Sequence, residues 1–371
     1  ALAWRVSHFI FMEWMKTWTS FHLRRLRDQC HVASLTQFSQ CVIVVDSKRL
    51  FEAICKGLGD RVVPTTLVMG GGHPQNILNA SGNVWQTQRN VIHRYISKAG
   101  QQYTACLHKE LQLLHVDDGS IDLINECARI NRRAMAEALG IPTFEYSARN
   151  MGFVTFGFGA LLDLFALPRW LAESVAFTWH ELVFGCETRR IAKIISCGRY
   201  PVCNEFVSAF GLSETMGHLW AIVNGSSIPE ASIVCDIIAG LAENVTEQDK
   251  VFNMLSQNCT EEFKHWIREQ CREHVFFPYQ VKTLSRDMLI DGVHLRAGQL
   301  VRVRLKWLNE LYPEVYTTGF GLRRCPGARI GIDSIEHWVA YIVSNYDFRA
   351  PSGWFFSLAR RLQAAFPYGP L

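Results

Sequence analysis

The residues best placed for chemistry lie in one run: Gly319-Phe320-Gly321-Leu322-Arg323-Arg324-Cys325-Pro326-Gly327-Ala328-Arg329. Cys325 stands in a glycine-punctuated loop directly before an apolar stretch of helical period. Gly321 and Gly327 permit tight turns and the close approach of a flat ligand. Pro326 suits the first position of a helix. A helix N-terminus turns N–H groups and partial positive charge toward the sulfur, and Arg323 and Arg324 strengthen that field. Each contribution favours thiolate over thiol. A soft thiolate is a good ligand for iron. The competing reading is a buried cysteine that merely starts a helix. The 12 cysteines include no C-x-x-C pair, which argues against zinc ribbons and thioredoxin-like redox sites.

Two further pairs could support such a centre. Trp85 and Arg89 are one helical turn apart and share a face. Both are hydrogen-bond donors, Arg89 a charged one. Glu269 and Arg272, three apart on an expected helix, can pair with each other. After them come Phe277-Pro278, then Arg286, Asp287, Asp291-Gly292 and Leu295-Arg-Ala-Gly-Gln-Leu-Val301.

Taken in order, these segments resemble the cytochrome P-450 superfamily. The loop is similar to its cysteine-ligand pattern F-x-x-G-x-R-x-C-x-G, matched at Gly321, Arg323, Cys325 and Gly327. Thr318 stands where the family has Phe, and Phe320 is the neighbour placed to fill that space. Trp85-Gln-Thr-Gln-Arg89 resembles the family's W-x-x-x-R helix, and Glu269 with Arg272 its E-x-x-R helix. The resemblance spans residues 40 to 350. It implies a haem b cofactor with Cys325 as axial ligand to the iron. It implies that Trp85, Arg89 and Arg286 reach the haem propionates, that Phe320, Gly321, Arg323 and Gly327 belong to the cofactor-binding loop, and that Glu269 and Arg272 form a buried structural pair behind the haem.

The family's helix above the haem carries an acid–alcohol pair for proton delivery. The corresponding stretch here is Leu219-Trp-Ala-Ile-Val-Asn-Gly-Ser-Ser-Ile-Pro229, with no carboxylate beside a threonine. Ser226 and Ser227 fall nearest those places and Asn224 lies just before. The stretch resembles the W-A-x-x-x-N-T-x-P version of the branch containing cholesterol 7α-hydroxylase, sterol 12α-hydroxylase and prostacyclin synthase. Pro229 inside a helix is expected to open the backbone ladder and kink it. Asn224 and the serines could equally serve only to satisfy that opened backbone. The alternative alignment through Ala239-Gly240-Leu-Ala-Glu243 is disfavoured, because Glu243 lies too close in sequence to Glu269.

These residues need a scaffold, and the periodicity supplies one that is mainly α with a small β lobe. Helices are expected over roughly 81–97, 100–115, 121–139, 155–195, 212–238, 246–256 and 260–274, with a last one from Pro326 to Ser344. Residues 40–46 read as a buried strand, and Ser47 as the N-cap of a following helix. Met69-Gly-Gly-Gly-His-Pro reads as a loop. Val281 to Val303 reads as strand with turns. No linker divides the 371 residues, so a single domain over 1–371 is expected. Phe153, Phe156, Phe158, Phe165, Trp170, Phe177 and Trp179 lie in the region that covers the substrate in this fold and suit a large apolar molecule.

A net charge of +4 without a long basic block gives no sign of a nucleic-acid partner. No uninterrupted 18-residue apolar run marks a membrane span. The resemblance implies an endoplasmic-reticulum membrane location on the cytosolic face if an anchor precedes Ala1, and a cytoplasmic one otherwise. It implies a monooxygenase acting on a hydrophobic small molecule of the sterol, terpenoid, polyketide or fatty-acid class. The electron donor would be NADPH-cytochrome reductase or another donor docking on the basic face of Arg323, Arg324 and Arg329. The missing acid–threonine pair keeps two alternatives open: a reductase-independent haem-thiolate isomerase or dehydratase, and a non-catalytic haem-bound ligand binder.

Overall fold

The computed structural model describes residues 32–37, 40–45, 48–56, 70–73, 75–114, 121–147, 151, 169–275, 279–284, 286–290, 293–297, 300–305, 308–309, 312 and 318–349. Strands β1 (Val32–Gln37) and β2 (Gln40–Val45) are followed by helix α1 (Lys48–Lys56). Then come helices α2 (Gly82–Leu111), α3 (Leu123–Leu139), α4 (Arg169–Ser196), α5 (Pro201–Gly225), α6 (Ile228–Glu243), α7 (Val245–Ser256) and α8 (Thr260–Glu273). Strands β3 (Tyr279–Thr283), β4 (Met288–Ile290), β5 (Val293–Leu295) and β6 (Leu300–Arg304) precede a short 3₁₀ turn, Gly321–Arg323, and the last helix α9 (Ala328–Asn345).

Helix α2 buries Trp85, Ile92, Ile96, Ala99, Tyr103, Leu107 and Leu111. Steps of three, four and seven place them on one stripe. Two helices were expected over this stretch, and one is found. Gly100 lies in its interior because the helix runs close to Ile330: a Cβ there would stand 3.2 Å from that side chain. Helix α3 starts at Asp122, whose carboxylate accepts the Asn125 N–H, and ends at Gly140 in the left-handed region with φ 66°. α3 packs on α2 and α6, and α9 packs on α6 and α2. These four helices form the centre of the larger hydrophobic core.

The β lobe holds a second, smaller core of Phe51, Ile54, Cys55, Leu284, Leu295, Val301 and Val303 among others. Its main sheet has the order β1-β2-β6-β3. β2 and β6 pair in parallel, with Ile43 opposite Val301, although more than 250 residues separate them. β4 and β5 form a separate antiparallel pair. Strand β1 was not anticipated: its polar Ser34, Thr36 and Gln37 hide the alternation. Ser47, Asp291-Gly292 and the stretch Ala1–Thr19 lie outside the described residues, as do Phe153, Phe156, Phe158 and Phe165.

The run Pro201–Glu243 is apolar enough over 18 residues for a membrane span, but 78% of that window is buried within the protein. Its apolarity is that of core helices. Helix α5 also departs from helical geometry at Gly211, with φ 80° and ψ 163°.

Candidate functional site

The cysteine loop is held in a hairpin-like fold before α9. The Cys325 N–H donates to the Thr318 carbonyl at 2.9 Å, and the Ala328 N–H donates to the Cys325 carbonyl at 3.4 Å. The helix begins at Ala328 with Gly327 as N-cap, two residues later than the expected start at Pro326. Pro326 and Gly327 instead complete the turn that leaves Cys325 exposed at the head of the helix. Gly321 has φ +70°, and a Cβ there would stand 3.0 Å from the Cys55 carbonyl of α1. Glycine is therefore required at this position on two counts. Phe320 is half-buried against Phe51, with ring centroids 6.3 Å apart. It ties the loop to Phe51 of α1.

Two segments distant in sequence converge on this loop. The Arg89 Nη2 donates to the Arg324 carbonyl at 2.7 Å. The Arg323 guanidinium lies 4.6 Å from the Trp85 ring centroid, and its Nη2 donates to the Ala80 carbonyl at 2.7 Å. The sequence-expected set Trp85, Arg89, Arg323 and Cys325 is thus assembled in one place. Burial lowers the pKa of Arg89, and negative charge on the Cys325 sulfur raises it. That coupling runs both ways: the guanidinium favours the thiolate.

Arg272 bridges to Glu269 at 2.8 Å and donates from Nη2 to the Asn309 and Tyr312 carbonyls at 2.6 and 2.9 Å. It thereby fixes the backbone leading toward the cysteine loop. The pair is less buried than expected. The Arg272 side chain is 20% exposed and that of Glu269 44%, because Arg272 turns inward to the carbonyls and leaves Glu269 at the surface. Arg286 is exposed in a bend before β4, and no hydrogen bond or ion pair among the described residues ties it to the loop. Trp170 and Phe177 are exposed on α4, 68% and 44%, so these two do not line an interior pocket here. Trp179 is half-buried.

Asn224, Ser226 and Ser227 lie together at the junction of α5 and α6, all three buried. Pro229 does not sit in mid-helix as expected. It occupies the first turn of α6, where its missing N–H costs nothing. The ladder opens just before it. The Ser227 N–H goes to the Asn224 carbonyl at 3.4 Å, so the Val223 carbonyl loses its usual partner. The Ser226 and Ser227 hydroxyls donate to that carbonyl at 3.2 and 2.7 Å. The serines do satisfy the opened backbone. The disfavoured acid, Glu243, ends α6.

Sequence reasoning missed two residues here. The Tyr146 hydroxyl donates to Asn224 Oδ1. Glu230, next to Pro229, is buried and accepts from Asn131 Nδ2 at 3.0 Å and from the Tyr103 hydroxyl at 3.5 Å. Burial pushes its carboxyl up to about 8, against the hydrogen bonds of Ser334 and Tyr103. The available signal was a lone acid on the apolar side of α6. Tyr146 left none, since it lies in irregular chain.

No protein-family model matches the sequence, and no curated protein matches it. Solved structures do match. P450BioI, crystallised with an acyl carrier protein ligated to hexadec-9Z-enoic acid, superposes with a TM-score of 0.64 at 14% identity. The match covers 88% of this chain and 90% of that one. CalO2 gives a TM-score of 0.66 at 16% identity over 91% of this chain and 90% of its own. The fold is that of the cytochromes P450.

The donor set of this cytochrome P450 fold suits haem. A thiol stands at a helix N-terminus, which is the position a soft iron ligand needs. Around it are one indole and two guanidinium groups, and the Arg89 guanidinium has no carboxylate partner among the described residues. Such donors match the two propionates of a haem.

Proposed function

We propose that this chain is a haem-thiolate monooxygenase that oxidises a hydrophobic small molecule with O₂ and electrons from a separate donor protein. The observation that carries it is the convergence of Trp85, Arg89 and Arg323 on the loop of Cys325. Cys325 would hold the iron. Trp85, Arg89 and Arg323 would hold the propionates, and Arg286 would reach one of them. Phe320, Gly321 and Gly327 shape the loop, and Glu269 with Arg272 stiffens the chain that supports it. Bound haem supplies the oxygen-activating chemistry, and thiolate ligation favours O–O cleavage. The protein's part at the other face falls to Asn224, Ser226 and Ser227, which set the hydrogen bonding where the helix opens.

The substrate is of the sterol, terpenoid, polyketide or fatty-acid class. The electron donor is an acidic protein meeting Arg324 and Arg329, both exposed. Arg323 is withdrawn from that face by its contacts with Trp85 and Ala80. The decisive experiment is the absorption spectrum of the reduced protein under carbon monoxide. A Soret band displaced far to the red is expected for thiolate ligation. An ordinary haem–CO band, or none, would overturn the assignment of Cys325.

One observation favours a second reading. Both serine hydroxyls donate to the Val223 carbonyl, and among the described residues no carboxylate hydrogen-bonds them. A reductase-independent isomerase or dehydratase needs no such proton donor. Substrate-dependent consumption of NADPH and O₂ would rule it out as the main activity.

A further inference from the structure

At the break between α5 and α6 a third element intervenes. Tyr146 lies in the chain after α3. Its carbonyl accepts a hydrogen bond from Arg132 Nη2 at 2.7 Å, and the guanidinium lies 4.0 Å from the centroid of its ring. Arg132 is 3% exposed. Its Nε and Nη1 have no hydrogen-bond partner among the described residues, so the aromatic face and one carbonyl are its main compensation. The Tyr146 ring is therefore gripped through both its backbone and its face. Its hydroxyl donates to Asn224 Oδ1.

We infer that Tyr146, gripped by Arg132, is the positioning residue that orients the Asn224 carboxamide at the helix break. This rests on the reading of residues 224–227 as the wall facing the cofactor. Both serine protons are engaged by the Val223 carbonyl, so the break by itself directs no hydroxyl proton away from the helix. Tyr146 adds a donor from another segment, and its proton goes to Asn224 Oδ1. With Oδ1 fixed as an acceptor, the carboxamide of Asn224 cannot turn over, and the direction of its Nδ2 hydrogens is fixed as well. Burial raises the phenol's pKa, and the Arg132 charge opposes that rise. The phenol thus stays protonated at neutral pH and acts as a donor.

The test compares Tyr146→Phe and Arg132→Lys with the unaltered protein by two readouts. One is amide hydrogen exchange of residues 222–231 in the haem-loaded protein. The other is the rate at which chemically reduced protein consumes dissolved O₂, measured from pH 6 to 9 in H₂O and D₂O. Tyr146→Phe should quicken exchange at the break about tenfold. It should change the O₂ rate about fivefold, the equivalent of one neutral hydrogen bond, and alter the solvent isotope effect. Arg132→Lys keeps the hydroxyl and its bond but loses the planar group on the ring, so the same effects should appear in weaker form. It decides the matter if Tyr146→Phe does not fold. Faster exchange with unchanged O₂ rate and isotope effect would show a packing residue only and overturn the inference. Unchanged exchange would overturn it too. If the unaltered protein gives no thiolate–CO spectrum, the parent reading fails and this one falls with it. An intact spectrum with unaltered rates sinks this inference alone.

Discussion

Replacing Glu230 by Gln should make the protein more stable at alkaline pH and leave it little changed in acid. The carboxyl sits where α2, α3, α6 and α9 meet, with Tyr103, Asn131 and Ser334 around it and the backbone of Gly331 close by. The other titratable groups facing it are Tyr103 and Cys127. Burial, the first cause for both, raises them well above their ordinary values, so both stay neutral. In the unfolded chain Glu230 loses its proton near 4.5, in the folded protein near 8, with burial as the main cause. Between those values the folded state keeps a proton that the unfolded state has released. Stability therefore falls as pH rises, by about 1.4 kcal/mol per pH unit, on the order of 5 kcal/mol across the window. Above about 8 both states are ionised and the loss is complete. Glutamine keeps the shape and never ionises, so its variant lacks this slope. Denaturant unfolding of both proteins at pH 4, 6, 7.5 and 9 gives the difference directly, since titrations common to both cancel. A stability gap that does not widen from pH 4 to 9 would refute the reasoning, because it would mean the carboxyl is already ionised or solvated when folded.

Further outcomes are expected. Cys325→Ser should abolish the red-shifted CO band, and its persistence would move the iron ligand elsewhere. Arg89→Ala should lower haem retention in dialysis and raise the thiol's pKa, since the guanidinium no longer favours the thiolate; a thiol titration curve that does not move would contradict the coupling. Gly321→Ala should destabilise by about 1–3 kcal/mol in urea, from strain at φ +70° and the approach to the Cys55 carbonyl. Asp at position 226 (Ser226→Asp) should change the coupling of electron use to product if that residue faces the cofactor, and unaltered coupling would count against its placement. Raising salt from 50 to 500 mM should slow electron transfer from an acidic donor, most of all for the unaltered protein and least for Arg324→Ala with Arg329→Ala.

The loop of Cys325 was legible in the sequence because its chemistry is local. A cysteine, two glycines and two arginines within seven residues fix a turn, a helix head and a positive field without help from elsewhere. The helical periodicity of α2 and α3 was legible for the same reason, although the α2 stretch read as two helices. Trp85 and Arg89 could be placed on one face, but not on the cysteine loop. Neither spacing nor composition shows that Arg89 reaches the Arg324 carbonyl across 235 positions.

What lay beyond the sequence was every contact that depends on long loop closure. The parallel pairing of β2 with β6, which carries the β lobe, joins residues more than 250 positions apart. The packing of α2, α3, α6 and α9 decides that Glu230 is buried rather than solvated, and so inverts its usual charge state. The same packing brings Arg132 and Tyr146 to Asn224. Local pattern sets which residues can ionise, donate or turn. Only the folded chain sets what surrounds them, and desolvation and hydrogen bonding there decide what they do.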